Sequence, residues 1–135
     1  MAIFTKVLSF TEAVAEKVHN LGSDQLVVAL TNTTPVTTWT QLSDLTEVAY
    51  TNLSSRDITT TTSAQTTGTY KLVIADLVLT ASGAVGPFRY IYVYNGDATN
   101  DELIAYYDYG SEVTLADTNT FTCDFDQSGG LLTLV

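Results

Sequence analysis

The sequence predicts a mainly β fold: a single-domain antiparallel β-sandwich or jelly roll of about eight strands with one N-terminal helix. Three observations carry this. Residues 87–95 (PFRYIYVYN) and 120–126 (TFTCDFD) alternate side chains with the period of two that pleated strands impose. Turn chemistry recurs between apolar runs, at SGAVGP, NGDATND and SGG. Threonine supplies 24 of the 135 residues, and its β-branching stiffens the chain toward extended structure.

From the N-terminus, residues 9–21 read as the one helix. Ser9 with Glu12 forms a capping-box pattern, Phe10, Val14, Val18 and Leu21 fall on one face, and Gly22 closes the end. SDQLVVALTN follows, with Leu26 to Leu30 as a short buried strand bounded by Asn32 and Pro35. Residues 33–69 are Thr-, Ser- and Asn-rich, and only Trp39, Leu42, Leu45, Val48, Tyr50, Leu53 and Ile58 offer core side chains. ITTTTSAQTTGTY within it reads as edge strands and loops on a β surface, with a flexible arm as the competing view.

From Tyr70 the pattern sharpens. YKLVIADLVLT reads as a long strand with a bulge near Ala75 and Asp76. PFRYIYVYN places Phe88, Tyr90, Tyr92 and Tyr94 on one face and Arg89, Ile91 and Val93 on the other, so both faces are largely nonpolar. ELIAYYDYG and EVTLADTN read as two further strands. TFTCDFD sets Phe121, Cys123 and Phe125 against Thr120, Thr122 and Asp124, and LLTLV ends the chain. No repeat of fixed period and no change of composition marks a boundary, so residues 1–135 are one domain with the helix as an appendage.

This length buries roughly 68% of the surface of the unfolded chain, which needs no disulfide or metal. Cys123 is alone and reads as a buried free thiol, suited to synthesis in a reducing cytoplasm. Net charge is −10, from 15 acidic and 5 scattered basic residues, which repels phosphate backbones and argues against nucleic-acid binding. No apolar window is long enough to span a membrane, and the charged start MAIFTKVLSFTEAVAEKV lacks the apolar run of a signal peptide.

Catalytic motifs are not evident. His19 is the one histidine, so any Ser/His/Asp or Cys/His mechanism would pass through it; it reads instead as a helix C-terminal residue complementing the dipole. One His and one Cys cannot assemble the usual zinc site. Asp97, Asn100, Asp101 and Glu102 share a loop but lack EF-hand spacing, and read as a solvated turn. Asp108 with Glu112, and Asp124 with Asp126, are carboxylate pairs of the kind an acidic β-protein carries by chance. No phosphate-binding glycine loop is present. The sequence therefore predicts a non-enzymatic protein with no cofactor and no metal.

Six of the eight tyrosines lie between residues 90 and 109. Tyrosine offers large contact area at low entropic cost, which suits interfaces and sugar-binding faces. Tyr90, Tyr92, Tyr94, Tyr106, Tyr107 and Tyr109, with Trp39, are the interface candidates. Core filling is the other reading for Tyr90 and Tyr92, in mid-strand, while Tyr106, Tyr107 and Tyr109 lie beside acidic residues toward a strand end.

The ordered set DQLVVALTNTTP, WTQLSDLTE, TYKLVIADLVLTASG, GPFRYIYVYN, LIAYYDYGSEVTLADTNTFTCDFD and GLLTLV resembles a family of small virion structural proteins of tailed bacteriophages. The similarity runs over nearly the whole chain, and GPFRYIYVYN followed by YYDYGS and TLAD is its most specific part. The chain departs from the pattern at Tyr50 to Ser55, where relatives tend to carry glycines. The resemblance implies a β-domain present in many copies on the particle, as a capsid decoration or cement protein. Its partners would be the major capsid protein and copies of itself, in clusters of three around a local threefold axis. An acidic surface suits the head exterior rather than an interior packed with DNA. The alternative is a tail or fibre module binding a host-surface glycan or protein, with the tyrosines as stacking platforms and the loop 97–102 bonding sugar hydroxyls.

Overall fold

The computed structural model describes residues 2–135. In chain order the elements are β1 (Ile3–Lys6), α1 (Phe10–Ala15), β2 (Leu26–Thr31), a 3₁₀ turn (Leu42–Asp44), β3 (Asp57–Ile58), β4 (Thr60–Thr66), β5 (Thr69–Ile74), β6 (Leu77–Thr80), β7 (Val85–Asn95), β8 (Leu103–Leu115), β9 (Thr120–Cys123) and β10 (Leu132–Leu134). A five-stranded antiparallel sheet, ordered β1-β8-β7-β2-β3, forms one layer. The three-stranded sheet β10-β5-β4 and the two-stranded sheet β6-β9 contribute to the other. The main core lies between these layers: Leu26, Val28, Leu30, Ile91, Val93 and Ala105 of the large sheet meet Leu72, Ile74, Leu79, Cys123, Phe125 and Leu131.

The mainly β sandwich matches the sequence prediction, with several differences in detail. Ten strands form among the described residues instead of about eight, because the four-residue β1 was unmarked in the sequence pattern and the Thr-rich stretch supplies both β4 and part of β5. YKLVIADLVLT breaks rather than bulges. Asp76 accepts hydrogen bonds from the Phe125 N–H at 2.9 Å and the Gln127 Nε2 at 3.0 Å, so the chain changes sheets between β5 and β6. ELIAYYDYG and EVTL, expected as two strands, are one thirteen-residue β8. Its register against β7 slips from Phe88↔Val113 to Tyr90↔Asp108, and the extra residues 109–112 bow out of the ladder. Gly86 lies in the same irregular stretch, at φ +110, and a Cβ there would stand 2.7 Å from the Val113 carbonyl oxygen. Only glycine fits that approach.

The helix is shorter than predicted, at six residues. Ser9 makes no side-chain cap hydrogen bond. At the other end Lys17 adopts φ +66, the Val18 N–H reaches the Ala13 carbonyl at 2.8 Å, and the Lys17 N–H reaches that of Val14 at 3.3 Å. This is the Schellman hydrogen-bond pattern with lysine at the position that glycine usually takes. Val18 and Leu21 continue the apolar spacing beyond the helix, and Leu21 still enters the core.

The outer edge of β2 illustrates how an irregular segment substitutes for a strand. β3 covers only Leu26 and Val27. Beyond them, the Val28 N–H bonds the Arg56 carbonyl at 2.9 Å, the Val48 N–H bonds the Leu30 carbonyl at 3.0 Å, and the Leu30 N–H donates to the Tyr50 hydroxyl at 2.9 Å. Tyr50 in turn donates to Glu47 Oε1 at 2.7 Å, and the Arg56 guanidinium lies 3.7 Å above its ring. Tyr50, at the start of the irregular stretch Tyr50 to Ser55, is therefore a structural anchor.

Candidate functional site

The tyrosines of β7 are core residues. β7 sits between β8 and β2, and both its faces are covered. Tyr90, Tyr92 and Tyr94 project away from the main core into a second cluster with Val7, Val27, Ala29, Leu45 and Leu103. Trp39 and Leu42 pack onto that cluster. The segment carrying them is tied down by the Leu103 N–H to Thr40 carbonyl bond at 2.9 Å and the Leu42 N–H to Asp101 carbonyl bond at 3.0 Å. Tyr92 is 1% exposed and lies 6.4 Å from the Trp39 ring. Burial pushes the Tyr92 and Tyr94 hydroxyl pKa values upward. The expectation that Tyr90, Tyr92 and Tyr94 form an interface is thus corrected: a second apolar layer that lacks strand periodicity covers them. Phe88, expected on the same face, turns into the main core through the register slip.

The remaining candidates fall on either side of β1. On one side Trp39 and Tyr106, both half-buried, join Leu8 and Val36 around a small concavity. Leu8 is 68% exposed and Val36 47%. On the other side Tyr107 is half-buried, with its ring 5.4 Å from Phe4 and 5.9 Å from Phe125; burial raises its pKa to about 12. Tyr109, on the bowed-out part of β8, is 43% exposed and meets Phe121 edge-on at 5.3 Å. Between the two concavities runs β1, exposed at all four residues, with Ile3 and Phe4 its apolar positions. The sequence reading missed Ile3, Phe4, Leu8 and Val36. IFTKVL carries apolar residues in plain view, but nothing in a four-residue strand indicates that it will be an edge.

Most of the polar residues weighed for chemistry have structural partners; among the described residues the Asp101 and Asp124 carboxylates make no hydrogen bond or ion pair. Asp108 accepts two hydrogen bonds from Arg89, at 2.8 and 3.0 Å, and one from the Gly110 N–H, which hold its carboxyl below the usual range. Glu112 accepts from the Asn32 amide. Asp126 caps the Ser128 and Gly129 N–H groups. In the loop 97–102, Asp97 accepts the Gln25 N–H, and Glu102 accepts from the backbone and side-chain amides of Asn100. Among the described residues, no group of three or more His, Cys, Asp or Glu side chains is placed to hold a metal ion. Cys123 is buried, its pKa raised to about 12, so the unreactive thiol is its dominant form.

His19 is not a helix-terminal residue, because the helix ends at Ala15. It is buried against the Phe10 ring at 5.4 Å, with Nδ1 3.1 Å from the Asn95 side-chain nitrogen. Asn95 also donates to Asp24 at 2.6 Å and accepts the Asp97 N–H at 2.9 Å through its oxygen, which fixes the amide's orientation. Nδ1 must then accept, so the neutral ring carries its proton on Nε2, an atom with no hydrogen-bond partner among the described residues. Burial lowers the His19 pKa, opposed by Glu102 and Asp24.

The chain matches no family model, and comparison with curated proteins and with solved structures likewise produced no match.

Proposed function

We propose that this protein is a non-enzymatic decoration protein of a tailed-bacteriophage head, which binds the outer surface of the shell and stabilises it. The observation that carries the reading is the apolar ridge centred on β1. Ile3, Phe4, Leu8, Val36 and Tyr109 are five of the eight large hydrophobic residues exposed among those described; the others, Val78, Leu134 and Val135, lie on β6 and at the C-terminal end. Exposed apolar groups clustered around one strand mark a docking surface better than scattered ones do. The sequence resemblance supplies the partner, the major capsid protein, and an acidic exterior is compatible with a position outside a DNA-filled shell. A stable contact of this kind needs more than about 1,000 Å² of buried surface, and binding in clusters of three around a local threefold axis would add avidity.

The test is cosedimentation with heads assembled without the protein, titrated to saturation. Binding should saturate at a fixed copy number compatible with the lattice. Leu8→Glu and Val36→Glu, both at exposed positions, should abolish it while leaving the thermal melt unchanged. Wild-type protein that ignores both immature and expanded heads would sink the proposal and favour the tail or fibre reading.

A further inference from the structure

Where the two layers part beside β1, a cleft of about 280 Å3 opens. Tyr107 and Tyr109 of β8, Phe121 of β9 and Phe125 just beyond it give it an aromatic lining, the exposed Asp124 stands at its rim, and Ala2 lies at its border next to β1. Among the described residues no basic side chain lines it. Asp124 is exposed, and neither of the two ion pairs among the described residues involves it. The chain's own cations are largely occupied elsewhere. Arg89 holds Asp108, Arg56 bonds the Val28 carbonyl, Lys71 bonds the Ser128 carbonyl and Lys6 bonds Thr11. The cleft is therefore aromatic and acidic, in a protein of net charge −10.

This chemistry selects a cation over a neutral apolar group. Aromatic faces attract positive charge, and a carboxylate at the same site adds a direct partner. A guanidinium fits better than an ammonium, because it is planar, more weakly hydrated, stacks on rings and can bind a carboxylate through two parallel hydrogen bonds. The position of the cleft indicates how such a group would arrive. β1 is the terminal strand of its sheet, so among the described residues the edge facing away from β8 has no strand partner. An extended segment added there would lie about 4.8 Å from β1 and alternate its side chains toward and away from the cleft.

We propose that the cleft receives an arginine side chain carried by an extended basic segment of the capsid protein, which adds as a strand to the free edge of β1. The inference rests on the capsid-binding reading and specifies the chemistry of the partner. Backbone pairing along β1 supplies register, and the cleft supplies selectivity for the arginine position.

The test uses the full chain and two acetylated, amidated pentapeptides, Thr-Val-Arg-Val-Thr and the same peptide with citrulline, which keeps the shape of arginine and removes its charge. NMR titration should give saturable shifts at the Tyr107, Tyr109 and Phe121 rings and at the β1 amides. The arginine peptide should bind at least about tenfold more tightly than the citrulline peptide. Asp124→Asn, a change at an exposed position, should remove most of that difference without altering the thermal melt. Equal affinity for the two peptides, an unchanged preference in Asp124→Asn, or no saturable shifts at the cleft would each overturn the inference. Wild-type protein that binds heads but not the arginine peptide refutes this inference alone, whereas binding of the peptide but not of heads refutes the capsid-binding reading.

Discussion

Replacing Tyr50 with Phe removes one oxygen and tests how the irregular segment 47–56 is held against the large sheet. The hydroxyl accepts the Leu30 N–H at 2.9 Å and donates to Glu47 Oε1 at 2.7 Å. Leu30 is wholly buried, so without the hydroxyl its N–H faces a phenyl edge in place of an acceptor. An orphaned buried donor costs about 1–3 kcal/mol, and the loss of the Glu47 contact adds to this, which places the substitution at about 2 kcal/mol. With 135 residues the unfolding entropy is about 0.28 kcal/mol/K, from about 2.1 cal/mol/K per residue, so the melting temperature should fall by about 7 °C. Calorimetry measures that shift, and amide exchange at Leu30 locates it: this amide should lose more protection than those of Val28 or Val93. A melting temperature within about 1 °C of wild type, with Leu30 protection intact, would show that the segment is held by Arg56 and backbone contacts and that the hydroxyl is dispensable.

Three further substitutions test other parts of the fold. Gly86→Ala combines a strained positive φ with a Cβ 2.7 Å from the Val113 carbonyl, so calorimetry should register a loss of about 2–3 kcal/mol. Lys17→Gly relieves a left-handed lysine at the end of α1 and should raise stability by about 0.5–1 kcal/mol in urea titrations, provided the Schellman hydrogen bonds are the reason the helix stops there. His19 has a folded pKa below the ordinary 6.5, so the unfolded chain binds its proton first as pH falls, and the stability present above pH 6.5 is lost as pH drops toward the folded value. Compared with His19→Gln, wild type should therefore weaken between pH 7.5 and 5, by at most about 1.4 kcal/mol per pH unit; parallel pH profiles for the two proteins would refute this.

The sequence displayed the strands more clearly than their surroundings. Alternation in PFRYIYVYN and TFTCDFD located β7 and β9 because a pleated strand imposes its period directly on the side chains. It could not reveal which face of a doubly nonpolar strand a partner would cover. Tyr90, Tyr92 and Tyr94 are buried by Trp39, Leu42 and Leu45, which belong to an irregular segment and a single 3₁₀ turn without strand or helix periodicity. The helix boundary failed for a different reason. The spacing of Phe10, Val14, Val18 and Leu21 persists past Ala15, but the backbone reverses hand at Lys17, where no glycine marks the stop. Of the seven interface candidates, Tyr106, Tyr107, Tyr109 and Trp39 retain access to the surface, and the more exposed Ile3, Leu8 and Val36 beside them follow from which strand became the sheet edge.

An exposed edge with apolar residues is an invitation to pair with any chain, including another copy. β1 has little local protection: its one charge, Lys6, already bonds Thr11 at 2.7 Å. The charge of the whole molecule provides discrimination instead. Two copies approaching edge to edge bring together two bodies of charge −10, whereas a basic segment is drawn toward the same edge. The free protein should therefore sediment as a monomer at low salt. Because the attraction and the repulsion are both screened within about 10 Å at 0.1 M salt, raising the ionic strength should slow association with heads and at the same time relax the barrier between free copies. A dimer that forms most readily at low salt would contradict this account of the edge.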